Sequence, residues 1–241
     1  MISIFLKEVN EFLDSLIAYV VIGVFLVGIG LLMWIFPDTN VLDYGYASME
    51  PVFSLGPYVF MFLIPAITMK SFAEEKRNGT LELLYTLPFK EIDVILGKFF
   101  AGYFLVFFSV LPTLVYYFSL YQLGNPVGNM DTPGIIGSYF GLLLLGGVFT
   151  SIGILSSALT GNQIVSFILS AFLCFLFYAG FDSIASINLW SKWSSFIAYL
   201  GIMQHYSSMS RGLIDLIDLA YFIGTTTIIL MLTKLILGLK K

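Results

Sequence analysis

The side chains able to do chemistry are concentrated in one stretch of this chain. Residues 70–98, KSFAEEKRNGTLELLYTLPFKEIDVILGK, hold five of its eleven Lys/Arg residues (Lys70, Lys76, Arg77, Lys90, Lys98) and five acids (Glu74, Glu75, Glu82, Glu91, Asp93). What such a stretch offers is recognition, through ion pairs and hydrogen bonds to a soluble partner. Catalysis lacks its parts. Gly97–Lys98 looks like the end of a phosphate-binding loop, but GxxxxGK requires glycine at 92 and the residue is Ile92. No HExxH, GxSxG or paired-carboxylate arrangement is found. His205 is the only histidine, and a lone histidine makes neither a metal site nor a triad; it is expected to be an interfacial or hydrogen-bonding residue. The single cysteine, Cys174, excludes an intrachain disulfide and a cysteine-based metal cluster, and is read as a small buried apolar residue. No catalytic, metal-binding or cofactor-binding residue is therefore assigned.

The elements that must position the charged stretch are hydrocarbon. Of the 241 residues 59% are hydrophobic and 11% charged, with a mean hydropathy of +0.95, against roughly 25% charged in soluble domains. The deficit is spread over several uninterrupted apolar runs, which predicts an all-α polytopic membrane protein. The runs do not alternate polar and apolar, as a β-barrel would require. The acid-rich start (Glu8, Glu11, Asp14 against Lys7), with no small-residue cleavage site after the first apolar run, predicts a retained first span.

In residues 2–14, Phe5, Leu6, Val9, Phe12 and Leu13 share one helical face opposite Lys7, Glu8, Asn10, Glu11 and Asp14. This predicts a helix lying in the membrane interface. Six spans of about 20 residues follow, near 16–36, 52–69, 94–121, 135–158, 164–182 and 216–237. Pro57, Pro65 and Pro112 predict kinks or helix ends. The loops at 37–51 and 122–134 carry acids but no Lys or Arg, whereas 70–93 and the tail (Lys234, Lys240, Lys241) are basic. The positive-inside rule places both termini and the 70–93 loop in the cytoplasm. Residues 183–215 are then external. Their apolar patch 196–203 is too short to span and predicts a re-entrant or interfacial helix pair, with Trp190, Trp193 and Tyr199 at the interface. No internal repeat or second domain is evident, so 1–241 is read as one transmembrane domain.

The span interiors are expected to lack charge, which argues against a proton-coupled carrier or a voltage sensor. Gly137 and Gly141 form GxxxG, and Gly153, Ser157 and Gly161 repeat its four-residue spacing; such faces serve helix packing within a subunit or a dimer seam. The 24 Phe and 14 Tyr fit lipid-facing surfaces and packing before they fit a greasy cargo.

Within the charged stretch, Ser71-Phe-Ala-Glu74 matches a capping box. Asn78–Gly79 is a breaker. Thr80 can cap a second short helix, Leu81 to Leu87, closed by Pro88. Leu81, Leu84 and Tyr85 share one face of it. The expected object is a helix–turn–helix with a charged first half and an apolar stripe, suited to a groove on a partner; the alternative is a plain solvated loop.

These residues carry a resemblance. Phe72, Glu75, Lys76, Gly79-Thr80-Leu81-Glu82, Leu84, Pro88 and Gly97-Lys98 resemble the signature loop of type-2 ABC transporter permeases. His205, Arg211-Gly212, Asp215, Asp218 and Tyr221 are similar to that family's pattern before the last span, so the resemblance covers essentially the whole chain. Within the family, the compact form and the wording EEKRNGTLELLYTLPFKEIDVILGKF most resemble the gliding-motility-associated branch.

The resemblance implies a permease subunit of an exporter in a bacterial inner membrane, with no cofactor of its own. It further implies a coupling helix in the 70–93 loop docked on a separate cytoplasmic ABC ATPase, and a second permease or membrane subunit as homo- or heterodimer. The surroundings are membrane lipid, with no nucleic acid partner. The residues expected to meet the ATPase are Glu75, Lys76, Arg77, Gly79, Thr80, Leu81, Glu82, Leu84 and Tyr85. Two rivals are a membrane scaffold that anchors a motility or secretion machine and transports nothing, and an ion-coupled carrier. The substrate is not readable.

Overall fold

The computed structural model describes residues 1–43, 45–82, 90–187 and 194–239, apart from the side chain of Ile17. Leu84, Tyr85, Pro88, Trp190, Trp193, Lys240, Lys241 and the predicted helix beyond Glu82 lie outside the described residues. Among the described residues there is no strand. The helices are α1 (Ile2–Leu13), α2 (Leu16–Trp34), α3 (Glu50–Thr68), α4 (Ala73–Asn78), α5 (Glu91–Val110), α6 (Leu114–Leu123), α7 (Thr132–Leu159), α8 (Gln163–Phe175), α9 (Phe181–Ala185), α10 (Ser194–Leu200), α11 (Ile202–Met209) and α12 (Leu216–Gly238). Five helical runs, 50–78, 91–123, 132–159, 163–185 and 216–238, are long and apolar enough to cross a membrane. The count is six if Ile2–Leu13 and Ala18–Trp34, bent by 69°, form one broken span.

Local chemistry explains most boundaries. Asp131 caps α7 by accepting from the Gly134 amide at 3.1 Å. Asn162 caps α8 through the Ile164 amide at 2.9 Å, and Asp215 caps α12 through Ile217 at 3.2 Å. Pro112 sits in a 3₁₀ turn, Leu111–Thr113, that separates α5 from α6. Pro57 and Pro65, by contrast, do not end α3, which runs through both. The proline ring at 57 deprives the Phe53 carbonyl of its intrahelical donor, and the Tyr206 hydroxyl supplies one at 2.6 Å. A neighbouring helix thus satisfies the freed group and the helix survives.

The 28-residue α7 is the hub. It packs on α3, α5, α8, α11 and α12 and is buried over most of its length. The larger apolar core, with Phe25, Phe60, Phe149 and Phe222, fills the bundle. A smaller one (Ile4, Phe72, Ile95, Phe99, Ile154, Leu230, Leu237) gathers where α1, α4 and the adjoining ends of α5, α7 and α12 meet. The expectation of charge-free spans needs correction. Lys98 lies two turns into α5 and Asp218 in the first turn of α12, both buried. Lys98 is tolerated because two carboxylates lie within 2.8 Å of its ammonium, and Asp218 because the His205 Nδ1 lies 2.7 Å from its carboxylate.

Candidate functional site: the charged element and its anchorage

α4 begins at Ala73, and its capping differs from the local box predicted by the sequence. No side chain of the 71–74 segment caps it. The Phe72 and Ala73 amides instead donate to the Ser157 hydroxyl oxygen, at 2.8 and 2.9 Å, and that hydroxyl donates to the Met69 carbonyl at 3.1 Å. Ser157 stands in the last turn of α7, so the start of α4 is capped by the hub of the bundle. Ser71 is buried, and its carbonyl is used elsewhere. The other end of α4 closes as the sequence predicts. Gly79 takes φ +68, a conformation that favours glycine, while its amide reaches the Lys76 carbonyl at 3.3 Å and the Thr80 amide reaches Glu75 at 3.0 Å. Ser157→Ala should strand two buried amides and cost about 1–3 kcal/mol. The melting temperature of the detergent-purified variant, compared with Ser157→Thr, reads this out.

A second anchorage is electrostatic. Lys98 is 2% exposed, and its ammonium donates to Glu8 Oε1 at 2.7 Å, Glu75 Oε1 at 2.8 Å and the Ser71 carbonyl at 2.7 Å. Three donors meet three acceptors, with the Phe72 ring 5.1 Å away. One side chain of α5 thereby ties α1, the turn before α4, and α4 itself. Gly97 makes room for this: a methyl there would lie 2.9 Å from Ile4 Cγ2, so α1 rests directly on α5. Lys7 flanks the cluster, 3.6–3.7 Å from Glu8, Glu11 and Glu75. Burial works against its charge, but Glu8, Glu75 and Glu11 outweigh it and hold the ammonium above its ordinary range. Burial pushes the Glu75 carboxyl up, with Lys98 pulling the other way.

The predicted contact residues therefore divide. Glu75 faces Lys98, Lys76 donates to the Ala158 carbonyl at the C-terminus of α7, and Leu81 packs half-buried on the smaller core. Arg77, Gly79, Thr80 and Glu82 are exposed. Leu84 and Tyr85 lie outside the described residues. Lys98, Glu8 and Ser157 are not among the residues the sequence predicts for this site. Lys98 enters the sequence reading as one of the bases of the charged stretch and as part of Gly97-Lys98 in the resemblance; the physical signal for its burial is a lysine followed at once by a long apolar run.

The small residues on α7 face inward. A methyl at Gly137 would lie 2.7 Å from the Gly212 carbonyl oxygen, at Gly141 2.6 Å from Met209 Cβ, and at Gly153 2.7 Å from Thr68 Cβ. With Ser157 engaged by the turn before α4, each of these positions packs closely against another segment of the same chain. Gly161 lies past the end of α7, beside Lys76.

At the opposite end, α10 and α11 are clamped onto the bundle. His205, 4% exposed, pairs through Nδ1 with Asp218 at 2.7 Å, and its Nε2 faces the Tyr199 carbonyl at 3.0 Å. Its ring stacks on Tyr221 at 3.9 Å. Ser138 donates to the Ser210 carbonyl at 2.9 Å. The hydrogen-bonding reading of His205 describes this geometry, although the ring is buried. Among the described residues no group of three or more His, Cys, Asp or Glu side chains converges as metal ligands.

The described residues form a bundle of apolar helices long enough to cross a membrane, with a charged helix fastened to one end. Residues 10–238 match the ABC-2 family transporter proteins. The chain belongs to that family: it is a multi-pass membrane permease of an ABC transporter and not itself the catalytic subunit. No curated protein matches it.

Proposed function

We propose that this permease is the membrane-spanning part of an exporter worked by a separate cytoplasmic ATPase, with α4 and the residues just after it as the coupling element. The observation that carries the reading is the double fastening of α4, to α7 through Ser157 and to α1 and α5 through Lys98. A force applied at α4 would not be lost in a loose loop. It would move the hub helix and two others as one body. Docking would fall to the exposed Arg77, Gly79, Thr80 and Glu82, with Leu84 and Tyr85 as the apolar anchor.

The topology that goes with this is six spans, with α1 along the inner surface, both termini cytoplasmic, and residues 183–215 re-entrant from outside. The membrane is the bacterial inner membrane, and a second permease subunit completes the pathway. The wording of residues 74–99 favours the gliding-motility branch, whose F subunit this chain resembles. The test reverses charge where exposure leaves the fold unburdened. Arg77→Glu and Glu82→Lys should each reduce co-purification of the ATPase and ATP turnover in membranes at least tenfold. Wild-type association and turnover in both variants would move the docking face elsewhere.

A further inference from the structure

A cavity of about 180 Å³ opens beside the Lys98 cluster, between α1, the end of α3 and α4. Phe12, Ala66 and Ile67 contribute apolar surface to its lining, and most of the remainder is charged. Most of the charges are already spent on each other: Lys98 on Glu8 and Glu75, and Lys7 on Glu8, Glu11 and Glu75. Three groups are not. Glu75 Oε2 is buried and has no hydrogen-bond partner. Lys70 and Glu74 line the same cavity, and neither has an ion-pair partner among the described residues.

An orphaned buried carboxylate oxygen is costly, and the donor that removes the cost is a cation carrying N–H. Lys70, without an ion-pair partner among the described residues, can meet an anion in the same cavity. One ligand that answers both is a zwitterion with a primary ammonium a few bonds from a phosphate. α1 borders the cavity through Lys7, Glu8, Glu11 and Phe12, and the inference rests on the topology proposed above, in which this helix lies along the inner surface at the level of the headgroups. We infer that this cavity binds the headgroup of an aminophospholipid of the phosphatidylethanolamine type, taken from the leaflet against which α1 lies. The ammonium would donate to Glu75 Oε2, the phosphate would meet Lys70, and the glycerol end would run along Phe12 and Ile67. The bound ammonium would counter the burial that pushes the Glu75 carboxyl up, as Lys98 does in part already. The inference does not depend on an ATPase partner.

The discriminating comparison is between phosphatidylethanolamine and phosphatidylcholine of matched acyl chains, because a trimethylammonium cannot donate a hydrogen bond. The full chain, purified in detergent and delipidated, is titrated with each and followed by native mass spectrometry and melting temperature. The phosphatidylethanolamine complex should survive at tenfold or greater excess over phosphatidylcholine and should raise the melting temperature. Lys70→Met lies outside the Lys98 network, so it should keep the lipid-free melting temperature and lose most of the bound lipid. Glu75→Gln should lose the preference between the two lipids. Equal retention of both lipids by the wild type, or full retention by Lys70→Met, would overturn the inference. So would soluble phosphoethanolamine binding as tightly as the lipid, which would make the source a free metabolite. Stabilisation by arginine amide but not by the lipid would overturn it too, by assigning the cavity to a basic side chain of a partner protein.

Discussion

Lys98→Met should destabilise the permease by about 3–5 kcal/mol, the range seen when one member of a buried ion pair is removed. Methionine fills much the same volume, so lost packing contributes little. The cost comes from Glu8 and Glu75, which lose their buried, hydrogen-bonded cation and keep only the more exposed Lys7 at 3.6–3.7 Å, while their side chains stay 7% and 12% exposed. The Ser71 carbonyl loses its donor at the same time. Chemical denaturation in detergent micelles reads this out. Adding Glu8→Gln and Glu75→Gln to the methionine variant removes the uncompensated charges and should recover at least half of the loss. A methionine variant as stable as the wild type would mean that the lysine is not holding the three helices together.

Gly153→Val should rank next. The added β-carbon alone would lie 2.7 Å from Thr68 Cβ, and Thr68 cannot swing away, because it is fully buried and its hydroxyl is bonded to the Ile64 carbonyl at 2.8 Å. α3 and α7 must separate at the level just above the fastening of α4. Overpacking of this kind costs about 1–3 kcal/mol, and more where neither helix can shift. Gly224 in α12 is the control: nothing stands within 4 Å of the place a methyl would take, and alanine there should be neutral or stabilising by about 0.5–1 kcal/mol. Purified yield and melting temperature for Gly153→Val and Gly224→Ala give the comparison. A tolerated valine at 153 would contradict the close approach of α3 and α7.

What the sequence makes legible here is what depends on neighbours along the chain. Continuous apolar runs mark the long helices, and the two-faced pattern of residues 2–14 marks α1, because burial and periodicity are written locally. The end of α4 is legible for the same reason: a glycine after asparagine is free to take positive φ, and Gly79 does. The start of α4 is not. Serine and glutamate at 71 and 74 make a sufficient local cap, yet the amides are satisfied by Ser157, 85 and 84 residues away. No local rule ranks a tertiary partner above a nearby one. Lys98 reads as one more solvated charge for a similar reason, since its partner Glu8 is 90 residues distant. Pro57 reads as a kink or a helix end, and which it is stays open until Tyr206, 153 residues from Phe53, is known to donate to the freed carbonyl. The small residues of α7 are legible as close-packing positions, but whether the partner is the same chain or a second copy requires the geometry of Gly212, Met209 and Thr68.

The most direct test of the central claim is the side and occupancy of α4. The single native cysteine, Cys174, is buried, so Arg77→Cys gives one reactive thiol in the exposed turn. Labelling with a membrane-impermeant maleimide should fail in intact cells, succeed in inverted vesicles, and fall sharply when the companion ATPase is co-expressed. Labelling from outside the cell, or labelling from inside that no nucleotide-hydrolysing protein alters, would contradict the account.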